Sequence, residues 1–365
     1  MGKNTLAVSI TEECGEFLQA VSKLEGKATD IRLLVSHSVF NNICSIVIGE
    51  RFDYEDTTFR RIIDIINYNM THLVSVGMSL LTIWPILHYI PGDIFKVRKV
   101  NENRIEFGRL FGHHFRELKG RKEYDENTTD SFIANYVREE KDKKERSQET
   151  SMDQRNLYKV IEDLTGAGTD TTTNTIMWFI LYMLHYPEVQ EKIFKEINEA
   201  IGVDKQPTIE DRKNLTYVNA AILETQRIGN VAPMAVPHSS PRDTWFKGYR
   251  IPKDSTVVGY LGSIMFDKQI WGEDVDTFRP ERFLDDSGNL KSFEQIITFG
   301  IGRRSCPGEA LAKMELFLYI ASMCQRFKFL PETDGEPPEI KEIVNMLRQP
   351  ADFKVRAIDR RLSRP

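Results

Sequence analysis

One cysteine in this 365-residue sequence stands in company that could do chemistry. The stretch Phe299-Gly-Ile-Gly-Arg-Arg-Ser-Cys-Pro-Gly308 sets three glycines, two arginines and a proline around Cys306. Glycine reaches backbone conformations closed to other residues, so Gly300, Gly302 and Gly308 suit a tight turn. Pro307, just past the cysteine, suits the first turn of a helix. The sulfur is therefore expected on a stiff loop feeding a helix N-terminus, where the dipole and backbone N–H groups favour a thiolate. One thiolate with no second sulfur nearby fits iron held in a haem, which supplies four nitrogens and needs only an axial ligand. The plainer alternative is a buried, inert cysteine acting as a small apolar side chain.

A second stretch, Thr165-Gly-Ala-Gly-Thr-Asp-Thr-Thr-Thr173, contradicts its setting. It lies inside the longest helical pattern in the chain, Leu157 to Tyr186, closed by Pro187 and about 45 Å long. Each glycine costs such a helix about 1 kcal/mol relative to alanine, and threonines that bond back to the preceding turn loosen it. Conflict of this kind marks either function or a packing kink. Glu224-Thr-Gln-Arg227 sits on the next helical segment but one, Tyr217 to Ile228. A Glu and an Arg three apart are ordinarily an exposed pair worth about 0.2–0.5 kcal/mol. His238 closes Val231-Ala-Pro-Met-Ala-Val-Pro-His238, whose prolines forbid a helix and suit a strand passing a ligand; alone it is ordinarily a structural histidine.

The elements that must position these groups are mostly helical. From Phe17 to Ile65 apolar residues recur at helical spacing, with 31–37 and 39–47 as separate candidate helices, and 62–76 continues the pattern. The apolar segment Val76 to Ile90 ends at Pro91-Gly92 and reads as core or pocket lid, or as a membrane-surface contact. Pro85 interrupts it, and it is too short to span a bilayer. Phe95 to Lys119 reads as a long amphipathic helix, 139–155 as a charged linker or helix end, and Pro187 to Ile201 as a helix. Thr208-Ile-Glu-Asp211 resembles a capping box. Past Arg227 the texture shifts to strands and turns: Tyr249 to Tyr260 and the tail Val344 to Ile358 each read as a hairpin, with an apolar helix, Glu309 to Phe327, between them. A single domain is expected, helix-rich over 1–230 and mixed over 231–365.

Composition narrows the function classes. With 41% hydrophobic and 28% charged residues the chain is globular, and a net charge of -5 gives no reason to expect nucleic acid as a partner. Cys14, Cys44, Cys306 and Cys324 are too few and too irregular for a disulfide framework, a zinc site or a c-type haem attachment, so a reducing compartment is expected.

Together the motifs resemble the cytochrome P450 family, most closely its microsomal family 2. Phe299, Gly302, Arg304, Cys306 and Gly308 match the haem-binding signature, and Ala167-Gly168-Thr169-Asp170-Thr171 matches the oxygen-groove motif of the long helix. Glu224 and Arg227 match the ExxR pair, and Phe278-Arg-Pro-Glu-Arg-Phe283 supplies the later arginine. The resemblance implies a mainly α P450 fold with a minor β portion, enclosing haem b between the long helix and the cysteine loop, with Cys306 as iron ligand. It implies that Phe299, Gly302, Ala167 and Gly168 border the haem, Gly168 making room for dioxygen, and that Arg304 and His238 hold its propionates. Asp170 and Thr171 would bring a proton route and a hydroxyl to dioxygen. Glu224, Arg227 and Arg282 would form a buried triad bracing the cysteine loop, and Thr165, Ala167, Ala232 and Val236 would line a substrate pocket.

The implied reaction inserts one atom of O2 into a lipophilic molecule such as a fatty acid, steroid or xenobiotic. Electrons would come from NADPH through NADPH-cytochrome P450 reductase, with cytochrome b5 as a further partner. The implied location is the cytosolic face of the endoplasmic reticulum membrane, touched through Val76 to Ile90. The family's front part, with its membrane anchor and Trp-x-x-x-Arg contacts, finds no match, so a partial domain is expected. Two other readings stay open: a reductase-independent P450-like isomerase, against which the Asp170 and Thr171 pair argues, and a truncated fragment without activity.

Overall fold

The computed structural model describes residues 3–73, 80–81, 84–120, 131–344 and 347–362. Its helices are α1 (Lys3–Ser22), α2 (Arg32–Val47), α3 (Thr57–Leu73), α4 (Val97–Gly120), α5 (Phe132–Glu145), α6 (Gln154–His185), α7 (Pro187–Ala200), α8 (Thr216–Gly229), the short α9 (Gly262–Met265) and α10 (Lys268–Trp271), and α11 (Glu309–Arg326). Local chemistry sets their ends. The Asp153 carboxylate accepts the Asn156 N–H at 2.7 Å to start α6, and Pro187 opens α7 where a missing N–H costs nothing. Thr208 and Asp211 form a reciprocal capping box on a 3-10 turn, Ile209–Asn214. Glu196 of α7 caps α8 from outside, accepting the N–H groups of Tyr217 at 2.7 Å and Val218 at 2.9 Å.

Helix α6 is the axis of the molecule. Its second half, Thr172 to Leu184, is buried on every side, which is why no amphipathic stripe marks it. Residues of α1, α2, α8 and α11 close around that half, with Phe17, Trp178, Phe179, Phe317 and Tyr319 among the buried aromatics. A second cluster joins α2, α3 and α4 through Phe40, Phe59, Phe107 and Phe111. The glycine and threonine stretch does not break α6. Its hydroxyls donate back one turn, Thr165 to Ile161 O at 2.8 Å, Thr169 to Thr165 O at 2.6 Å and Thr171 to Ala167 O at 2.8 Å, and the helix stays continuous from 154 to 185.

Four two-stranded antiparallel sheets complete the described residues. β1 (His238–Ser239) pairs with β4 (Thr256–Val257), and β2 (Thr244–Phe246) with β3 (Tyr249–Ile251). β5 (Phe327–Pro331) pairs with β8 (Val355–Asp359), and β6 (Glu342–Val344) with β7 (Arg348–Pro350).

Several sequence expectations are corrected here. The helices expected at 31–37 and 39–47 are the single α2. Tyr249 to Tyr260 is not a hairpin: the tight turn is Lys247-Gly248, with φ of 48° and 85°, and β3 and β4 each pair with an earlier strand. The tail likewise splits, β6 and β7 forming one hairpin while β8 returns to the strand that leaves α11. The stretch 139–155, expected as a charged linker or helix end, is both: Glu139 to Glu145 ends α5, Arg146 to Asp153 links it onward, and Gln154 and Arg155 open α6. Part of the Val76 to Ile90 segment, 76–79 and 82–83, lies outside the described residues. Beside it Pro85–Tyr89 forms a 3-10 turn that leaves Ile86 74% and Tyr89 86% exposed. Among the described residues no helix is long and apolar enough to cross a membrane.

Candidate functional site

Cys306 is a free, exposed thiol, whereas Cys14, Cys44 and Cys324 are buried. Its loop is built by hydrogen bonds between its two ends: the Cys306 N–H donates to Phe299 O at 2.8 Å, Ser305 N–H to Gly302 O at 3.2 Å and Gly300 N–H to Ile297 O at 2.8 Å. Gly300 and Gly302 have φ of 74° and 77°, a region that side chains resist, so the turn needs glycine there. Gly308 is different, an N-cap with φ of -87°. A Cβ at 308 would make ordinary contact with the Cys306 sulfur at 3.7 Å, so neither backbone nor space requires glycine there. Helix α11 starts at Glu309, two residues later than Pro307 led one to expect. Phe299 backs the loop, its ring under the Lys313 ammonium at 5.6 Å.

The α6 stretch presents two faces. Ala167 is exposed and Thr171 partly so, one turn apart on one side, while Thr165, Thr169 and Thr172 are buried on the other. Thr165, expected on the pocket wall, is therefore a packing residue with 0% exposure, its hydroxyl spent on α6 itself. Gly168 also faces a neighbour. A Cβ there would come within 2.7 Å of Ile43 Cδ1, so the missing side chain lets α2 approach α6. Asp170 has its carboxyl pushed up to about 6 by burial, against the pull of the Arg32 guanidinium. Arg32 is fixed nearby by bonds to Asn174 Oδ1 at 2.7 Å and Pro350 O at 2.8 Å.

Glu224, Arg227 and Arg282 meet in the interior. Arg227 grips Glu224 with two bonds, Nε to Oε2 at 2.7 Å and Nη2 to Oε1 at 2.9 Å, and Arg282 Nε reaches Oε1 at 2.9 Å. The remaining donors go to carbonyls, Arg227 to Met265 and Val275 and Arg282 to Trp271, Asp274 and Thr277. The knot thus ties the segment 265–282 to α8. Among the described residues it makes no hydrogen bond to the cysteine loop. The link is apolar instead: Phe293 packs against Trp271 and Phe283 with ring centroids at 5.3 and 4.9 Å, and it leads through Ile296 into the loop.

His238 and Arg304 are exposed, and among the described residues neither side chain has a hydrogen bond or ion pair. The stretch Val231 to His238, expected as a strand, is irregular up to Pro237, with only His238 entering β1; on it Val236 is 67% exposed and Ala232 partly buried, and Ile301 on the cysteine loop is 76% exposed. No cluster of three or more His, Cys, Asp or Glu that could hold a bare metal ion occurs among the described residues. One accessible thiol, two uncommitted basic side chains and exposed apolar surface fit a large apolar group that brings its own metal, its own in-plane ligands and acidic arms. Haem b is such a group.

Two groups escaped the sequence reading. Glu315 of α11 is fully buried, accepting from Asn42 at 2.9 Å and Thr172 at 3.4 Å, and burial pushes it up to about 8. A single acid in the apolar run Leu311 to Ile320 was its signal. Arg32 gave none, because Asp170 is distant in sequence.

Comparison with known proteins shows the family. The family model described as cytochrome P450 matches residues 2–357. Cytochrome P450 2U1 of Rattus norvegicus is 38% identical over 341 residues, covering 92% of this chain and 63% of that protein. Cytochrome P450 2K4 of Oncorhynchus mykiss is 37% identical over 94% of this chain and 66% of that protein. Cytochrome P450 2D28 of Mesocricetus auratus is 32% identical over 99% of this chain and 71% of that protein. The chain thus spans 63% of the length of the 2U1 relative.

Proposed function

The chain belongs to the cytochrome P450 family, and from that premise we propose that it is a haem-thiolate monooxygenase acting on a lipophilic small molecule. The observation that carries this reading is the accessible Cys306 thiol on a glycine-locked loop, continued by a helix that meets α6 through the Thr172 hydroxyl and the Glu315 carboxylate at 3.4 Å. Bound haem would supply the activation of O2 and its insertion into an unreactive C–H bond.

The chain's own residues do the rest. Cys306 would supply the thiolate ligand of a bound haem iron, and Arg304 and His238 would hold its acidic arms. Asp170, held near 6 by burial, exchanges protons at neutral pH, which suits a group that passes them inward. The Thr171 hydroxyl donates to Ala167 O and keeps its oxygen lone pairs toward the exposed face of α6, ready to accept a proton and relay it. Ala232 and Val236 would give the substrate an apolar wall, and the small Ala167 would leave space for it beside the bound haem.

Electrons are proposed to come from NADPH through a flavoprotein reductase, with cytochrome b5 as a second donor. A cleft of about 230 Å³ beside the cysteine loop is lined by Lys291 and by Lys313, the latter paired to Glu309 at 2.6 Å, and Lys291 suits an acidic partner. The exposed Trp84, Ile86, Tyr89 and Ile94 suit contact with the cytosolic face of the endoplasmic reticulum membrane. The test is turnover of lauric acid by the haem-loaded chain with reductase and NADPH. Hydroxylated product that requires reductase supports the reading. Rearrangement of an added fatty-acid hydroperoxide without reductase, and no NADPH-dependent product, would replace it with the isomerase.

A further inference from the structure

The segment that carries Ala232, Val236 and His238 hangs between two attachments. From Pro233 onward it is tied to 256–262: Gly262 N–H donates to Pro233 O at 3.2 Å, Ala235 N–H donates to Gly259 O at 2.8 Å, and β1 pairs with β4. Its near end is held by one residue of β7. The Arg348 N–H donates to Val231 O at 2.8 Å, and the guanidinium Nη1 donates to the last carbonyls of α8, Ile228 O at 3.0 Å and Gly229 O at 3.2 Å. A helix C-terminus carries unsatisfied carbonyls and partial negative charge, so a cation is well placed there.

The same guanidinium lies over the rings of Trp178 at 5.6 Å and Phe266 at 5.4 Å, and its Nε donates to Glu342 on β6 at 2.5 Å. Trp178, two helical turns past Thr171 on α6, returns a bond from its indole N–H to Arg348 O at 3.2 Å. Arg348 therefore touches the long helix, the end of the triad helix, the start of the 231–238 segment and the tail hairpin at once. Lysine could not do this, having one compact head where arginine has a planar fork that bonds and stacks together.

We propose that Arg348 is a positioning residue that couples the tail hairpin β6–β7 to the 231–238 segment and so sets which apolar substrates the site admits. The proposal rests on the reading of Ala232 and Val236 as pocket wall. It does not require Arg348 to touch haem or substrate.

The test compares the full chain with Arg348→Gln. Hydrogen exchange followed by mass spectrometry should show peptides over 228–240 and 347–352 exchanging together about tenfold or more faster, as loss of charge-assisted bonds implies, with 265–282 unchanged. In the haem-loaded protein, difference spectra should show the affinity for 1-dodecylimidazole changing about tenfold, the scale of apolar pocket discrimination, while imidazole binding stays as in wild type. Faster exchange confined to 347–352, or both imidazoles shifting by the same factor, would overturn the proposal. Should Arg348→Gln fail to fold, Arg348→Lys, which keeps the charge and loses the fork, is read by the same two measurements. A wild-type chain without a thiolate-haem spectrum refutes the haem reading and leaves the exchange coupling to be judged alone.

Discussion

Gly168 has no side chain because Ile43 fills the space one would occupy, and that fact redirects the meaning of the α6 motif. The motif was legible in the sequence, yet the direction its glycine faces was not. A helix's azimuth is fixed by its neighbours, and α2 lies more than a hundred residues earlier. Gly168→Ala gains about 1 kcal/mol of helix propensity but forces Ile43 to move, at a cost of about 1–3 kcal/mol. In an Ile43→Val background, which removes the Cδ1 atom, urea unfolding should show Gly168→Ala about 1 kcal/mol better tolerated than in wild type. Strict additivity of the two substitutions would show that the contact does not govern the site. Asp170 and Thr171 were legible for the opposite reason, since polar residues inside a helix bound for the core announce themselves by type alone.

Among elements, the brace from α8 to 265–282 was readable as a pair of motifs, and its geometry turned a surface-type ion pair into a buried one. Glu224 and Arg227 are both 0% exposed, and every guanidinium donor reported above ends on a carboxylate or a carbonyl. Replacing Arg282 by Met leaves Glu224 half paired, and loss of about 3–5 kcal/mol is expected in urea unfolding. If the apolar route through Phe293 carries the brace onward, Phe293→Ala should loosen the cysteine loop, read as faster exchange over 297–306, with the Glu224 knot intact. Unchanged exchange there would separate the knot from the loop. The hairpins were the weakest part of the sequence reading. Their strands are only two to five residues long, and β1–β4 and β5–β8 join partners far apart in the chain, so local turn signals such as Pro252-Lys-Asp254 pointed to the wrong pairing.

For the whole molecule, two buried groups set opposite pH limits. His37 packs between Tyr54 and Phe59, neither ring nitrogen has a hydrogen-bond partner among the described residues, and burial pushes it down to about 4. The unfolded chain binds that proton first, so the stability is full above pH 6.5 and is lost as pH falls toward 4, by at most about 3 kcal/mol. Glu315, pushed up to about 8, acts the other way: its contribution is fullest below its ordinary 4.5 and is lost as pH rises toward 8. Urea midpoints measured across pH should therefore fall on both sides of an optimum. His37→Phe should flatten the acid arm and Glu315→Gln the alkaline arm, and an unaltered arm in either variant would contradict the assignment.

The family membership, the helical body and the cysteine loop all converge on one atom, the Cys306 sulfur. The most direct test is the reduced carbon monoxide difference spectrum of the haem-loaded chain beside Cys306→Ala. The account predicts the red-shifted Soret band of thiolate-ligated haem in the first and its absence in the second. The same band in both proteins, or in neither, would contradict it.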